Sequence, residues 1–412
     1  MTRTLGCFVT GGRDGARSLP DHLQMSTNAS SVAKLVRASA RLNAERGSTR
    51  IPVIRWMARL TRPLRVTAKI AREVKKRGPS CKRAGGPGMV TQATTMWRLA
   101  TFHRISPASY YFYRLHRRDF QTRAQRYLEF TTLAAAERRI LDASSADRAA
   151  LTDKRAFARL CEQDGFPTPP ILAWARGGAI EIARELPASD LFSKPGASAN
   201  GRGAAIWRFD DGQWSDGTAW HDAESLLAEI ARRSDAGPHM LQPRIVNHDA
   251  IRGLGCGGAS TARIVTIRFP DRPAEPLWSV FKMSARGSAA DNFMRGGLLA
   301  PVDADSGRLG PALRQGSSAL VQTHPDTGAQ IAGVKLPQWS QALQLCLRAH
   351  DTLFARFPSV GWDVAFTREG PMLIEGNWNW SEELLQLAHD RPLGETRLPD
   401  CYLAHLARAG IA

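Results

Sequence analysis

The chain has no run of 18 or more apolar residues, and its opening stretch MTRTLGCFVTGGRDG lacks the charged-then-apolar layout of a secretion signal. Neither a bilayer-spanning helix nor a secretory leader is expected. Cysteine is scarce as well. The six cysteines, at 7, 81, 161, 256, 346 and 401, form no Cys-x-x-Cys pair. That argues against a disulfide framework or a zinc ribbon and fits a reducing, cytoplasmic setting. Acids are rare in one region only: residues 1–98 hold 20 Lys+Arg against 4 Asp+Glu, whereas residues 99–412 hold 36 against 34. The net charge of +18 is therefore a basic arm on a nearly neutral body, and no specific nucleic-acid partner is expected from it. Familiar catalytic signatures are missing too, with no G-x-x-x-x-G-K-[ST], H-E-x-x-H or G-x-S-x-G, and the ten histidines lie without metal-ligand spacing to one another. Gly253, Gly255 and Gly258 spell G-x-G-x-x-G, but the β-branched run TARIVTIRF follows where a dinucleotide site needs a helix N-terminus.

What is present is enough apolar material, 43% of 412 residues, for a core and two or three domains. Residues 1–50, rich in Ser, Arg, Gly and Asn, read as a flexible basic segment. Residues 51–150 read as a helical basic extension. Within it, 51–77 places Ile54, Met57, Leu60, Leu64 and Ile70 at helical spacing among cations, interrupted by Pro63, and GPSCKRAGGPG (78–88) reads as a linker. The arm could contact an anionic surface or simply solvate a packed helix, and its acid-poor opening also resembles an organellar transit peptide. The aromatic cluster Tyr110, Tyr111, Phe112 and Tyr113 reads as core. From 151 onward short strand-like runs alternate with helical ones, which predicts an α+β fold with mixed or antiparallel sheets, divided at about 151–240 and 241–405.

Four pieces of this body carry chemistry. In GWDVAFTREGPMLIEGNWNW (361–380), two apolar runs flank the turn Thr367–Gly370, a hairpin signal. Pairing Phe366 with Met372 sets Asp363 across from Glu375, with Asn377 on the same face, and two carboxylates with a carboxamide suit a hard cation; the alternative is ordinary acids on a wet strand face. In LFSKPGASANGRGAAIWRF (191–209), a strand ends at Lys194 and a small-residue loop with Ser198, Asn200, Gly201 and Gly203 follows, where backbone N–H groups can approach an anion. Upstream, Asp153 or Thr152 caps a helix closing at Gly165, which puts Lys154 in the first turn, against the helix dipole. Arg263 and Lys282 fall on adjoining strand candidates and can reach one anionic group, with Asn292 in the polar turn N-F-M-R-G-G beyond them.

In this order the pieces resemble an ATP-grasp protein over about residues 150–395, closest to the glutamate-ligase-like members. The runs Tyr110–Leu115 and Gly361–Val364 resemble the sugar-transfer-associated branch, whose members carry an N-terminal helical extension. The resemblance implies a fold of two α+β subdomains closing on ATP. It implies that Lys154, Lys194 and the loop residues Ser198, Asn200, Gly201 and Gly203 meet the nucleotide, with Gln242 at the hinge beside the adenine edge. It further implies that Asp363, Glu375 and Asn377 hold one or two Mg2+, with Mn2+ as an alternative, and that Arg263, Lys282 and Asn292 act on the γ-phosphate and an acyl phosphate. The expected activity is ATP-dependent ligation of a carboxylic acid to an amine, in cell-envelope or polysaccharide chemistry. The alternatives are a phosphotransferase acting on a sugar-like hydroxyl and a non-catalytic surface-binding protein. Two departures from the glutamate-ligase pattern bear on the acceptor: Lys282 stands where many members have Arg, and Trp378-Asn379-Trp380 replaces a Pro-containing sequence.

Overall fold

The computed structural model describes residues 29–46, 61–196, 203–284, 291, 293, 296–314 and 319–411. An N-terminal set of helices comes first: α1 (Ala29–Arg46), α2 (Arg62–Arg83), α3 (Met89–Phe102), α4 (Pro107–Phe112), α5 (Arg118–Gln121) and α6 (Phe130–Ser144). Next comes α7 (Lys154–Gln163), where Asp153 accepts the N–H groups of Arg155 and Ala156 at 2.8 and 3.1 Å and Gly165, at φ +70°, ends the turn.

The first sheet runs β2 (Ala179–Ile182), β1 (Ala173–Arg176), β7 (His239–Pro243), β3 (Leu191–Pro195), β4 (Ala205–Asp210), β5 (Gln213–Ser215) and β6 (Trp220–His221), backed by α8 (Ala223–Arg233). Leu191, Trp207, Leu226, Ile230 and Leu241 form its core. The second sheet runs β12 (Leu320–Val321), β11 (Ala312–Arg314), β10 (Leu298–Val302), β9 (Glu275–Met283), β8 (Thr261–Ile267), β13 (Ser359–Phe366) and β14 (Pro371–Asn377). Every pairing in both sheets is antiparallel.

Alternation along β8, β9 and β13 sends side chains into two cores. Ile264, Phe281, Trp362 and Phe366 pack with α7 and α9 (Trp339–Leu353) on one face. Val265, Ile267 and Val280 pack on the other with α1, α6, α10 (Glu382–His389) and α11 (Leu398–Arg408). All eight residues of β13 are buried, as befits a central strand covered on both sides.

Two local expectations are corrected; of residues 1–50 only 29–46 are among those described. The weak periodicity of residues 1–50 hides α1, whose Val32 and Leu35 lie buried against the second core with Tyr402 and Leu406. The expected linker at 78–88 is helical as far as Arg83: α2 passes through Gly78 and Pro79, and only the turn before α3 breaks. Gly78 is tolerated because α3 presses on it, Gln92 donating to the Gly78 carbonyl at 3.3 Å and to that of Pro87 at 2.7 Å. Pro63 stands in the first turn of α2, where a missing N–H costs nothing; the other helix of the pair expected on either side of it, over 51–60, lies outside the described residues.

Besides its apolar packing in the second core, the extension is bound to the body by two polar clusters. The buried Gln386 amide donates to Tyr113 Oη and the Leu128 carbonyl at 3.0 and 2.9 Å and accepts from Leu128 N and Leu393 N, both at 3.0 Å. Glu395, buried, takes Arg123 in a two-pronged pair at 2.8 and 2.6 Å and Arg126 at 3.2 Å.

Candidate active site

The two sheets face each other across a cleft of about 690 Å3, lined from above by β3, β4 and β7 and from below by β8, β9, β13 and β14. The β13–β14 hairpin turns at Thr367, whose N–H donates to Gly370 O at 3.0 Å. Its register near the turn differs by one residue from the expected one: Phe366 faces Pro371 and Ala365 faces Met372. A bulge between Asp363 and Val364 then absorbs the slip, so that Asp363 does face Glu375 and Gly361 faces Asn377.

Across the other edge of β13, Asp363 pairs in register with Arg263. The guanidinium grips the carboxylate through Nε at 2.6 Å and Nη2 at 2.9 Å and reaches the Trp380 carbonyl with Nη1 at 2.9 Å. Lys282 Nζ lies 3.0 Å from the same Asp363 Oδ1 and 3.7 Å from Asp291, which also accepts from the Thr261 hydroxyl. The two cations expected to share one anionic group thus converge on Asp363. Burial works against that carboxylate, but Arg263 and Lys282 hold it well below the usual carboxylate range. Burial works against the Lys282 ammonium too, and Asp291 with Asp363 lifts it above the ordinary lysine value.

On the far side of the hairpin, Lys154 Nζ lies 3.3 Å from Glu375 Oε2. The carboxylate offsets the unfavourable dipole at this first helical position. This approach depends on Gly376: a Cβ there would meet Leu151 at 2.7 Å and Phe157 at 3.1 Å, both beside the start of α7. Lys194, on β3, faces the same group of charges from the upper sheet. Burial drives its pKa down to about 8, with Lys154 adding to the fall and Glu375 and Asp363 opposing it.

Lys154, Lys194, Gln242, Arg263, Lys282, Asp363, Glu375 and Asn377 therefore line one cleft. The Gln242 side chain is committed to the Pro169 carbonyl at 2.9 Å. Gly203 sits at φ +75° with Pro195 beside it. Ser198, Asn200, Gly201 and Asn292 lie outside the described residues. Asn377 donates through Nδ2 to the Gly361 carbonyl at 3.3 Å and to Glu375 Oε1 at 3.5 Å. Two facing carboxylates with a carboxamide form an all-oxygen donor set that fits a hard divalent cation.

Sequence reasoning passed over Phe192, Ile206 and Asp291. A signal existed for the first: Leu191 and Ser193 are fully buried behind β3, so alternation puts Phe192 on the cleft face with Lys194, opposite Ile206 of β4. Asp291 had none, since its partner Thr261 is thirty residues away. Another trio able to hold a metal, Cys256, His324 and Asp326, gathers elsewhere. Both ring nitrogens of His324 are already hydrogen-bonded, to Ser284 O at 3.2 Å and Asp326 N at 3.3 Å.

The family model of sugar-transfer associated ATP-grasp proteins matches residues 143–398. Among solved structures, an L-amino acid ligase from Bacillus licheniformis is similar at 13% identity and TM-score 0.35, over 63% of this chain and 48% of that one, about half its length. A D-alanine–D-alanine ligase from Bacillus anthracis is similar at 12% identity and TM-score 0.34, over 63% and 69% of the two chains. The ATP-grasp ligase PsnB, complexed with precursor peptide PsnA2 and AMPPNP, is similar at 15% identity and TM-score 0.33, over 71% and 70%. No curated protein matches the sequence significantly. With the family match taking in more than half of its residues, the chain belongs to the sugar-transfer associated ATP-grasp family.

Proposed function

We propose that this protein is an ATP-dependent ligase that joins a carboxylic acid to an amine through an acyl phosphate. The observation that carries the reading is the convergence of Lys154, Lys194, Arg263 and Lys282 with Asp363, Glu375 and Asn377 in one cleft between two sheets. Lys154, Lys194, Arg263 and Lys282 gather around Asp363 and Glu375, so that cations stand on both sides of the place a triphosphate with its own divalent cation would take. Phe192 and Ile206 offer apolar surface to the base, while Lys154 and Lys194 hold the phosphates from two sides. A Mg2+ held by Asp363, Glu375 and Asn377 would supply charge neutralisation at the phosphate oxygens.

The attacking carboxylate takes the γ-phosphoryl group and ADP leaves. The amine then adds to the acyl carbon, loses a proton and expels inorganic phosphate. Arg263 and Lys282 would offset charge developing on the transferred group, and no side-chain nucleophile is needed. Their hold on Asp363 also keeps that carboxylate ionised and fixed in direction.

Release of ADP by the purified protein, given ATP, Mg2+ and panels of carboxylic acids and amines, tests the reading. Turnover should require both an acid and an amine, and Glu375→Ala should lower kcat/KM by about 100-fold or more, some 2.7 kcal/mol of transition-state stabilisation. A phosphorylated alcohol as product, or unaltered turnover in Glu375→Ala, contradicts it.

A further inference from the structure

The cations of the N-terminal extension stand beside an unusual amount of exposed apolar surface. Ten large hydrophobic side chains are exposed among the described residues, and half of them fall between positions 64 and 102: Leu64, Met89, Val90, Trp97 and Phe102. Along α3, the positions Val90, Thr94, Trp97 and Thr101 recur at helical spacing on the outward side, while Gln92, Met96 and Leu99 turn inward. Val90 is 78% exposed, Trp97 46%, Phe102 69% and, at the start of α2, Leu64 72%. These side chains are neither covered by α2 nor part of the small core formed by Ile70, Met96, Leu99 and Tyr110.

The neighbouring helix supplies charge of one sign. On α2 the inward positions are Val66, Ile70, Val74, Gly78 and Cys81, and Lys69, Arg72, Lys75, Lys76, Lys82 and Arg83 are all exposed. Glu73 is the one acid of α2 and α3, and it is mostly covered and paired with Arg77 at 3.5 Å. The exposed side of this two-helix unit is thus cationic and apolar with no exposed acid.

We infer that the α2–α3 unit docks on an anionic phospholipid bilayer, Val90, Trp97 and Phe102 entering the headgroup boundary and the α2 cations meeting lipid phosphates. Charge complementarity alone would serve a nucleic acid equally well. The apolar row decides between them: a polyphosphate backbone has no place for Val90, Leu64 and Phe102, whereas a bilayer interface takes apolar side chains about 5–10 Å deep while Lys and Arg stems reach back to the headgroups. No described helix is long and apolar enough to cross a membrane, so the contact is with the surface only. This inference is independent of the nucleotide cleft.

Co-sedimentation of the full chain with vesicles tests it. Binding is expected to phosphatidylcholine vesicles containing phosphatidylglycerol, not to phosphatidylcholine alone, and to weaken with added salt. The double variant V90E/W97E should bind about tenfold more weakly or worse, with ATP affinity unchanged, because both positions face solvent. The variant K69E/K76E should lose binding as well while keeping its melting temperature. Vesicle binding that survives V90E/W97E overturns the inference. So does absence of any vesicle binding, whether accompanied by tight binding of single-stranded RNA or by a dimer that V90E/W97E dissociates.

Discussion

Asp363 illustrates how much of the site rests on single side chains. It is a metal-ligand candidate and also the common partner of Arg263 and Lys282. Asp363→Asn should therefore cost stability as well as activity, about 3 kcal/mol by denaturant unfolding, because two largely buried cations lose their partner. Glu375, paired with Lys154 at 3.3 Å and accepting from Asn377 Nδ2 at 3.5 Å, should cost activity with little change in the unfolding midpoint. A second carboxyl is set for a pH effect. Glu382 is buried at the start of α10, its Oε1 without a hydrogen-bond partner among the described residues, and burial, with Glu383 nearby, pushes its pKa up to about 8. Between about pH 4.3, where the unfolded chain's glutamate titrates, and pH 8, the folded state holds a proton that the unfolded state has lost, so stability falls as pH rises through this window. Glu382→Gln should raise the melting temperature at pH 8 and have little effect near the lower limit; an equal shift at both pH values would contradict the assignment. Of these residues, the sequence displayed Asp363 and Glu375 through strand alternation. It could not display the isolation of Glu382, which depends on Glu129 and Glu137, some 250 residues away in the chain, coming up beside it.

At the scale of elements, spacing and caps were legible and packing partners were not. The Asp153 cap, the Gly165 stop and the hairpin turn could all be read from neighbouring residues. Each is decided within a few positions, and each is found in place. The helical path of α2 through Gly78 and Pro79 was hidden, because α3, a separate element, supplies the support. Gly376 belongs to the same class. Gly376→Ala should push β14 from Leu151 and Phe157, destabilise the protein by about 1–3 kcal/mol, and weaken ATP binding by moving Lys154 off Glu375. Calorimetry with and without ATP checks both effects, and an unchanged nucleotide shift in the variant would show that Lys154 stays in position.

For the whole molecule, the charge count invited a division into arm and body that the packing does not respect. Val32 and Leu35 complete the second core with Tyr402 and Leu406, and Gln386 and Glu395 hold the later helices of the extension. A chain lacking residues 1–46 should lose about 3–6 kcal/mol from those two side chains alone, visible as an earlier chemical-denaturation midpoint, whether or not ATP is present. The two-sheet body was foreseeable because alternating strand-like and helical runs are written locally. The docking of α1 was not, since its partner α11 lies at the opposite end of the chain.

The bulge between Asp363 and Val364 has a consequence for how the hairpin tolerates change. Continued without it, the ladder from the turn would set Ile374 opposite Asp363 and rotate Glu375 toward Leu151 and Phe157. A single supernumerary residue thus sets the phase of the ribbon's far end separately from that of its tip. The tip can vary in composition while Asp363 and Glu375 keep their side, and losing that phase by one step would turn the face proposed to hold a cation into an acid buried among leucine and phenylalanine.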